Sequence, residues 1–227
     1  MEPSRKVEMY AEAMSENKRA LQRKPNRSIE ELDRINAILD EGYVAHVGFN
    51  DPETGEATVI PLGYVRDGER LLFHGSTGSR IFMALKDRVQ ICATVTLLDA
   101  LISARSAFNS SMNYRSVMAF GKTRVLEDEA KEEAMKALTN KLIPGLWEAG
   151  RKMTSKEFAQ TMIVELPLDD VTAKQRSGGA NDSEDATLNI WAGAIPIITK
   201  FGEPITNADA SHVPVPEYIK NLHKWGR

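Results

Sequence analysis

The segment Leu71-Leu72-Phe73-His74-Gly75-Ser76-Thr77-Gly78-Ser79-Arg80 holds the densest set of groups able to do chemistry. It reads as a short apolar strand that breaks into a Gly/Ser/Thr loop and then enters a helix with an arginine in its first turn. A helix N-terminus carries partial positive charge and free N–H groups, so a cation there is locally unfavourable. An anion held between loop hydroxyls, N–H groups and the guanidinium removes that conflict, and phosphate is the obvious one. A well-capped connection that binds nothing is the structural alternative. His74 adjoins the loop, and an imidazole exchanges its proton near neutral pH.

Other chemistries fare worse. His46 and His74 sit on separate strand-like segments without a nearby cysteine or clustered carboxylates, a poor zinc set, so no metal is expected. The single cysteine, Cys92, lies in the apolar run Val89-Gln90-Ile91-Cys92-Ala93-Thr94-Val95 and reads as a core thiol rather than a nucleophile. No local Ser-His-Asp signature and no Gly-x-Gly-x-x-Gly after a strand is present. The stretch Asn113-Tyr114-Arg115-Ser116 interrupts an apolar run with polar side chains. Alternation puts Asn113 and Arg115 on one face, Tyr114 and Ser116 on the other, and a solvent-facing edge would also explain it.

The elements that must position these groups are legible from pattern. The chain has 227 residues, a formal net charge of −3 and 42% hydrophobic residues, which gives one sizeable core and no electrostatic case for nucleic acid. No apolar stretch is long enough to span a bilayer and the N-terminus is not signal-like, so a cytoplasmic protein without membrane partners is expected. Residues 1–27 are charged and read as an arm or a partner-contacting helix. Ser28-Ile29-Glu30-Glu31 matches a capping box, followed by Leu32, Ile35, Ile38 and Leu39 at helical spacing, with Gly42 as a left-handed stop.

From Tyr43 the period changes to that of strands. Segments 43–49, 57–65 and 70–74 read as strands, separated by turn signals at Asp51-Pro52 and at Asp67-Gly68, the latter a type I′ hairpin signal. A short helix over 81–86 follows, then strands over 89–97 and 114–126 and a helix from Asp128 to about Leu142. Thr154-Ser155-Lys156-Glu157 is a second capping box, ahead of a strand over 160–166. Residues 177–186 read as a polar, mobile loop, and a proline-bearing tail over 198–227 as extended chain. Six strands with interspersed helices, mostly hairpin-connected, predict a mainly β, α+β domain over 28–197: a small antiparallel barrel.

Several segments together resemble the flavin-binding split-barrel superfamily, in its pyridoxamine 5′-phosphate oxidase-like branch, which includes nitroimidazole-resistance proteins. They are His46-Val47-Gly48-Phe49, Val59-Ile60-Pro61-Leu62, Phe73-His74-Gly75-Ser76, Ser79-Arg80, Val95-Thr96, Ala104-Arg105-Ser106-Ala107-Phe108, Met112-Asn113-Tyr114-Arg115-Ser116-Val117, Phe120-Gly121, Ala173-Lys174 with Arg176, and Trp191-Ala192-Gly193. The resemblance implies a six-stranded antiparallel split β-barrel, a homodimer, and FMN in clefts at the dimer interface. It would place the phosphate on Ser79 and Arg80, with His74, Gly75 and Ser76 lining the adjacent wall. The backbone of Val59, Ile60 and Pro61 would lie along the isoalloxazine edge. Arg115 would serve as a second phosphate or dimer-interface cation, Ser116 would lie near the flavin, and Trp191 would pack beside it from the partner subunit; Arg105, which follows an apolar run, could equally make an interface salt bridge.

The function so implied is a flavin-dependent oxidoreductase acting on a small organic substrate, with His74 as proton donor or substrate-positioning group. A non-enzymatic flavin-binding or storage protein, and a barrel holding deazaflavin or haem with His46 or His74 as axial ligand, are the alternatives. Where pyridoxamine 5′-phosphate oxidases carry an Arg-Leu-x-Pro segment, this chain has Gly193-Ala194-Ile195-Pro196. The missing arginine argues against a vitamin B6 substrate.

Overall fold

The computed structural model describes residues 25–86 and 89–222. Most of the predicted N-terminal arm, residues 1–24, lies outside the described residues. The chain opens with strand β1 (Ser28–Ile29) and helix α1 (Leu32–Glu41), followed by strands β2 (Val44–Asn50), β3 (Ala57–Asp67) and β4 (Arg70–Ser76). Helix α2 (Arg80–Leu85), strands β5 (Gln90–Ser103), β6 (Ser111–Lys122) and β7 (Arg124–Leu126), and helices α3 (Asp128–Leu142), α4 (Leu146–Ala149) and α5 (Ser155–Gln160) come next. Strands β8 (Thr161–Pro167), β9 (Asp170–Arg176) and β10 (Gly193–Pro196) and helix α6 (Glu217–Lys220) complete the order. The strands are antiparallel and run β1-β9-β6-β5-β2-β3-β4-β8-β7, with β10 added to β5. The expected mainly antiparallel α+β class is the one observed, with ten strands among the described residues in place of six.

Period-2 alternation builds the core. Val47, Phe73, Val95, Val117, Ala119 and Ala173 point inward with Tyr64 and Leu166, while α1 contributes Ile35, Ile38 and Leu39. A second cluster forms on the opposite face of the sheet, where Ala134, Met135 and Leu138 of α3 cover Val65, Leu72 and Ile163. Alternation also corrects the reading of Cys92. Ile91, Ala93 and Val95 take the inward positions, so Cys92 falls on the outer face, partly buried, opposite Gly48 and Phe120.

Four local expectations are revised. The Ser28 capping box does not form: Ser28 and Ile29 pair with Lys174 and Ala173 as β1, and α1 starts after Glu31 without a side-chain cap. Burying Ile29 while extending the sheet beyond β9 outweighs a cap of about 1 kcal/mol. Gly42 is not left-handed (φ −73°); a Cβ there would stand 2.6 Å from the Tyr64 hydroxyl and 2.7 Å from Val95. The Asp67-Gly68 hairpin forms, but its loop is Gly68-Glu69 between the paired Asp67 and Arg70. Gly68 has φ +58° and Glu69 has no positive φ, which is the II′ pattern rather than I′. The strand expected over 114–126 breaks at Thr123, whose buried hydroxyl donates to the Leu85 carbonyl, so β6 pairs with β5 and β9 while β7 pairs with β8.

Two segments beyond the barrel are tied down. In the polar loop 177–186, the buried Asp182 accepts from the Arg105 backbone N–H (2.6 Å) and its Nη1 (3.0 Å). The tail sets Phe201 edge-on to Tyr43, with ring centroids 6.2 Å apart, and lays Tyr218 against Gly145.

Candidate functional site

Strands β3 and β4 are paired only part of the way. Their register runs from Asp67↔Arg70 to Tyr64↔Phe73 and stops. Beyond that point β3 is held by β2 alone, through Ala57–Gly63, and β4 by β8 alone, through His74–Ser76. One backbone edge of each strand is thereby left facing a split, with donors and acceptors that a flat polar ring edge could use. Val59 and Pro61 lie exposed on the outer face, while Ile60 and Leu62 pack on the core.

The loop at the mouth of the split is pinned to its neighbours. Thr77 donates its N–H (2.9 Å) and its hydroxyl (3.3 Å) to the Gln160 carbonyl, Ser76 Oγ accepts from the Gly78 N–H (3.2 Å), and the Ser79 N–H donates to the Ser76 carbonyl (2.9 Å). Ser79 occupies the N-cap of α2 but makes no side-chain cap, so its hydroxyl is uncommitted there. Gly75 serves packing: a Cβ on it would come within 2.2 Å of the Phe82 ring, which α2 folds beneath the strand end.

Arg80 is not alone. Its Nη1 donates to Asp51 Oδ2 at 2.7 Å, from a side chain that is 68% exposed to one that is 6% exposed. Asp51 sits in the β2–β3 turn, and its Oδ1 accepts the N–H groups of Glu53 (2.9 Å) and Thr54 (3.2 Å). These N–H groups, Glu53 foremost, together with Arg80 hold the carboxyl below the ordinary range against the opposing effect of burial. Asp51-Pro52 was legible only as a turn; nothing in a spacing of twenty-nine residues announces an ion pair with Arg80.

Val59, Ile60, Pro61, His74, Gly75, Ser76, Ser79 and Arg80 therefore stand along the two rims of the split and at its mouth. Arg115, Ser116 and Trp191 do not within one chain. Strand β6 is three positions from β3 in the sheet, about 14 Å at ordinary strand spacing. Arg115 turns toward the end of α1, where Asp99 (2.7 and 3.0 Å) and Glu41 (2.5 and 3.0 Å) take its guanidinium from both sides and, Asp99 foremost, raise its pKa against the opposing effect of burial. That fork explains the polar interruption in β6. Ser116 faces the other way and lies 3.2 Å from the Thr96 hydroxyl. Arg105 pairs with Asp182 of its own chain. Trp191 is 64% exposed, its ring folded over Gly193.

His74 projects on the outer face with Leu72 and Ser76, and its imidazole has no hydrogen-bond partner among the described residues. His46 shares that outer face, opposite Pro61 and Thr94. Among the described residues, no group of three or more His, Cys, Asp and Glu side chains could hold a metal ion.

A family model described as pyridoxamine 5′-phosphate oxidase matches residues 31–175. The chain belongs to that family. Among solved structures, this pyridoxamine 5′-phosphate oxidase-like chain is similar to the flavocytochrome Anf3 from Azotobacter vinelandii, at 36% identity over 90% of this chain and 96% of that one, with a TM-score of 0.83. It is similar to the FAD and heme binding protein from Mycobacterium smegmatis, at 34% identity over 87% and 97% of the two chains, with a TM-score of 0.83. A protein from Bacteroides thetaiotaomicron named for 5-nitroimidazole antibiotic resistance shares the fold, at 23% identity over 65% and 86% of the chains and a TM-score of 0.55. No curated protein matches.

Proposed function

We propose that this family member binds a flavin nucleotide in the β3–β4 split and works as an electron-transferring oxidoreductase on a small organic substrate. The carrying observation is the split itself: two unpaired backbone edges that end at a hydroxyl-rich loop with a largely exposed arginine. The backbone of Val59–Pro61 suits the ring edge, and Ser76, Ser79 and Arg80 suit a phosphate. When bound, the flavin supplies the hydride or electron chemistry. The chain's own residues hold the nucleotide by its anionic end, pack one rim with Val59 and Pro61, and present His74 as an unpartnered imidazole able to move a proton or position a substrate. FMN is the form implied by the sequence resemblance; FAD is the form named for the Mycobacterium smegmatis relative, and we take FAD as the reading for this chain. In a homodimer, the second copy would bring Ser116 and Trp191 toward the cleft.

A second reading adds haem. It is favoured by the names of two relatives that match this chain over most of their length. His46 and His74, exposed on one face of the sheet, are the side chains to test as axial ligands. Vitamin B6 oxidation is disfavoured, since Gly193–Pro196 forms β10 against β5 and carries no arginine.

The visible spectrum of the purified protein tests all of this. Flavin bands alone support the first reading, an added Soret band the second, and chromatography of the released cofactor separates FAD from FMN. A colourless protein that retains no flavin overturns both. Arg80→Ala is expected to weaken flavin binding about ten- to a hundredfold, the loss of one charge-assisted contact. Turnover of a reduced nicotinamide or a nitroaromatic distinguishes an enzyme from a storage protein.

A further inference from the structure

We infer that Asp51 is a positioning residue for the anion site, fixing the Arg80 guanidinium over the Ser76–Ser79 loop before any ligand arrives. The inference rests on the phosphate reading of that loop and assigns a role to a residue outside it in sequence. The two carboxylate oxygens have separate duties. Oδ1 is consumed by the turn, accepting from the Glu53 and Thr54 N–H groups. Oδ2 is left for Arg80 Nη1 at 2.7 Å. The turn is closed further by the Asp51 N–H on the Glu56 carbonyl (2.8 Å) and the Gly55 N–H on the Asp51 carbonyl (2.7 Å), so the carboxylate cannot swing away without opening it.

The partners differ in freedom. Asp51 is nearly buried, whereas Arg80 projects from the first turn of a short helix and is mostly exposed. An exposed arginine left to itself samples many rotamers, and ordering it on ligand binding costs affinity. A buried carboxylate that already holds one edge of the fork removes most of that cost and leaves the remaining N–H donors free for a phosphate oxygen. The arrangement also lowers the net positive charge at the loop, which suits the singly charged phosphates of a dinucleotide better than a doubly charged terminal phosphate.

The division of labour between the oxygens makes the test selective. Asp51→Asn retains an oxygen for the Glu53 and Thr54 N–H groups but puts an amide where Arg80 needs an acceptor. Flavin titrations on the full-length apoprotein, with FAD and FMN as probes, are expected to show Asp51→Asn weakening binding about two- to tenfold, the ordering cost of one long side chain. The apoprotein's melting midpoint should fall modestly, because the Oδ1 turn bonds stay while the Arg80 ion pair is lost, and the titrations are run well below it. In an Arg80→Ala background the same substitution should have no further effect on binding. Asp51→Ser, whose hydroxyl can serve the same turn, is read in the same way should Asp51→Asn fail to fold.

Wild-type affinity in Asp51→Asn beside a weakened Arg80→Ala overturns the positioning role and leaves the phosphate site standing. An equal loss from Asp51→Asn with or without Arg80 shows that it acts by another route and overturns the inference as well. Wild-type affinity in Arg80→Ala removes the phosphate site itself, and the role of Asp51 with it.

Discussion

Gly75 shows how one residue in a site-like motif can serve packing. In the sequence it sits between His74 and Ser76 and reads as part of an anion loop. In the structure its missing side chain is the space occupied by the Phe82 ring, 2.2 Å from where a Cβ would be, and Phe82 is buried in the core. Gly75→Ala must therefore displace a core aromatic, an overpacking cost of about 1–3 kcal/mol. For a chain of this size that is a fall in Tm of several degrees by calorimetry. Phe82→Leu introduced with it should recover part of the loss, because the smaller side chain vacates the same space. An unchanged Tm in Gly75→Ala would show that the ring does not press on the strand.

Two capping boxes were legible in the sequence, and only one formed. Thr154 accepts from the Glu157 N–H (3.2 Å), and Glu157 Oε2 accepts from the Thr154 N–H (2.8 Å), as the spacing predicts for α5. Ser28 had the same pattern but was drawn into β1, because Ile29 had a buried position to fill. Local hydrogen bonding decides an element whose surroundings are solvent; where a core or an unpaired edge competes, it loses. The same limit explains β9, unread because only Val171 and Ala173 mark Asp170–Arg176 as a strand, and β10, which depends on a long β5 to receive it. The split had a similar fate: its rims were readable as strands, but where their pairing ends is set by register. At α5 the box carries a pH consequence. Arg151 first, then the Thr154 N–H and hydroxyl, hold the Glu157 carboxyl at about 2, below its ordinary 4.5. A depressed carboxylate pKa stabilises the fold above the ordinary value and loses that contribution as pH falls toward the depressed one. Carboxyl NMR should find Glu157 titrating near the lower value, with the Thr154 amide shift following it. A midpoint at 4.5 would mean that the box is open in solution.

At the scale of the whole molecule, one chain exposes large apolar side chains in register across neighbouring strands. Leu101 lies opposite Met112 on β6 and opposite Ile195 on β10, so the three form a row across one face, each 46–49% exposed. Trp191 lies beside that row over Gly193, and Phe108, 94% exposed, tips the β5–β6 hairpin. Contiguous apolar rows of this kind mark association surfaces. If the proposed homodimer pairs through this row, the same pairing would bring Ser116 and Trp191 to a cleft they do not reach within their own chain. Light scattering should then give twice the chain's 25.2 kDa. Leu101→Asp combined with Ile195→Asp should give a folded monomer with unaltered far-ultraviolet circular dichroism and much weaker flavin retention, because the cleft loses its second wall. A monomeric variant that keeps its flavin would place every binding group in one chain: the β3–β4 rims and the Arg80 loop would suffice, and the roles carried to Ser116 and Trp191 would fall.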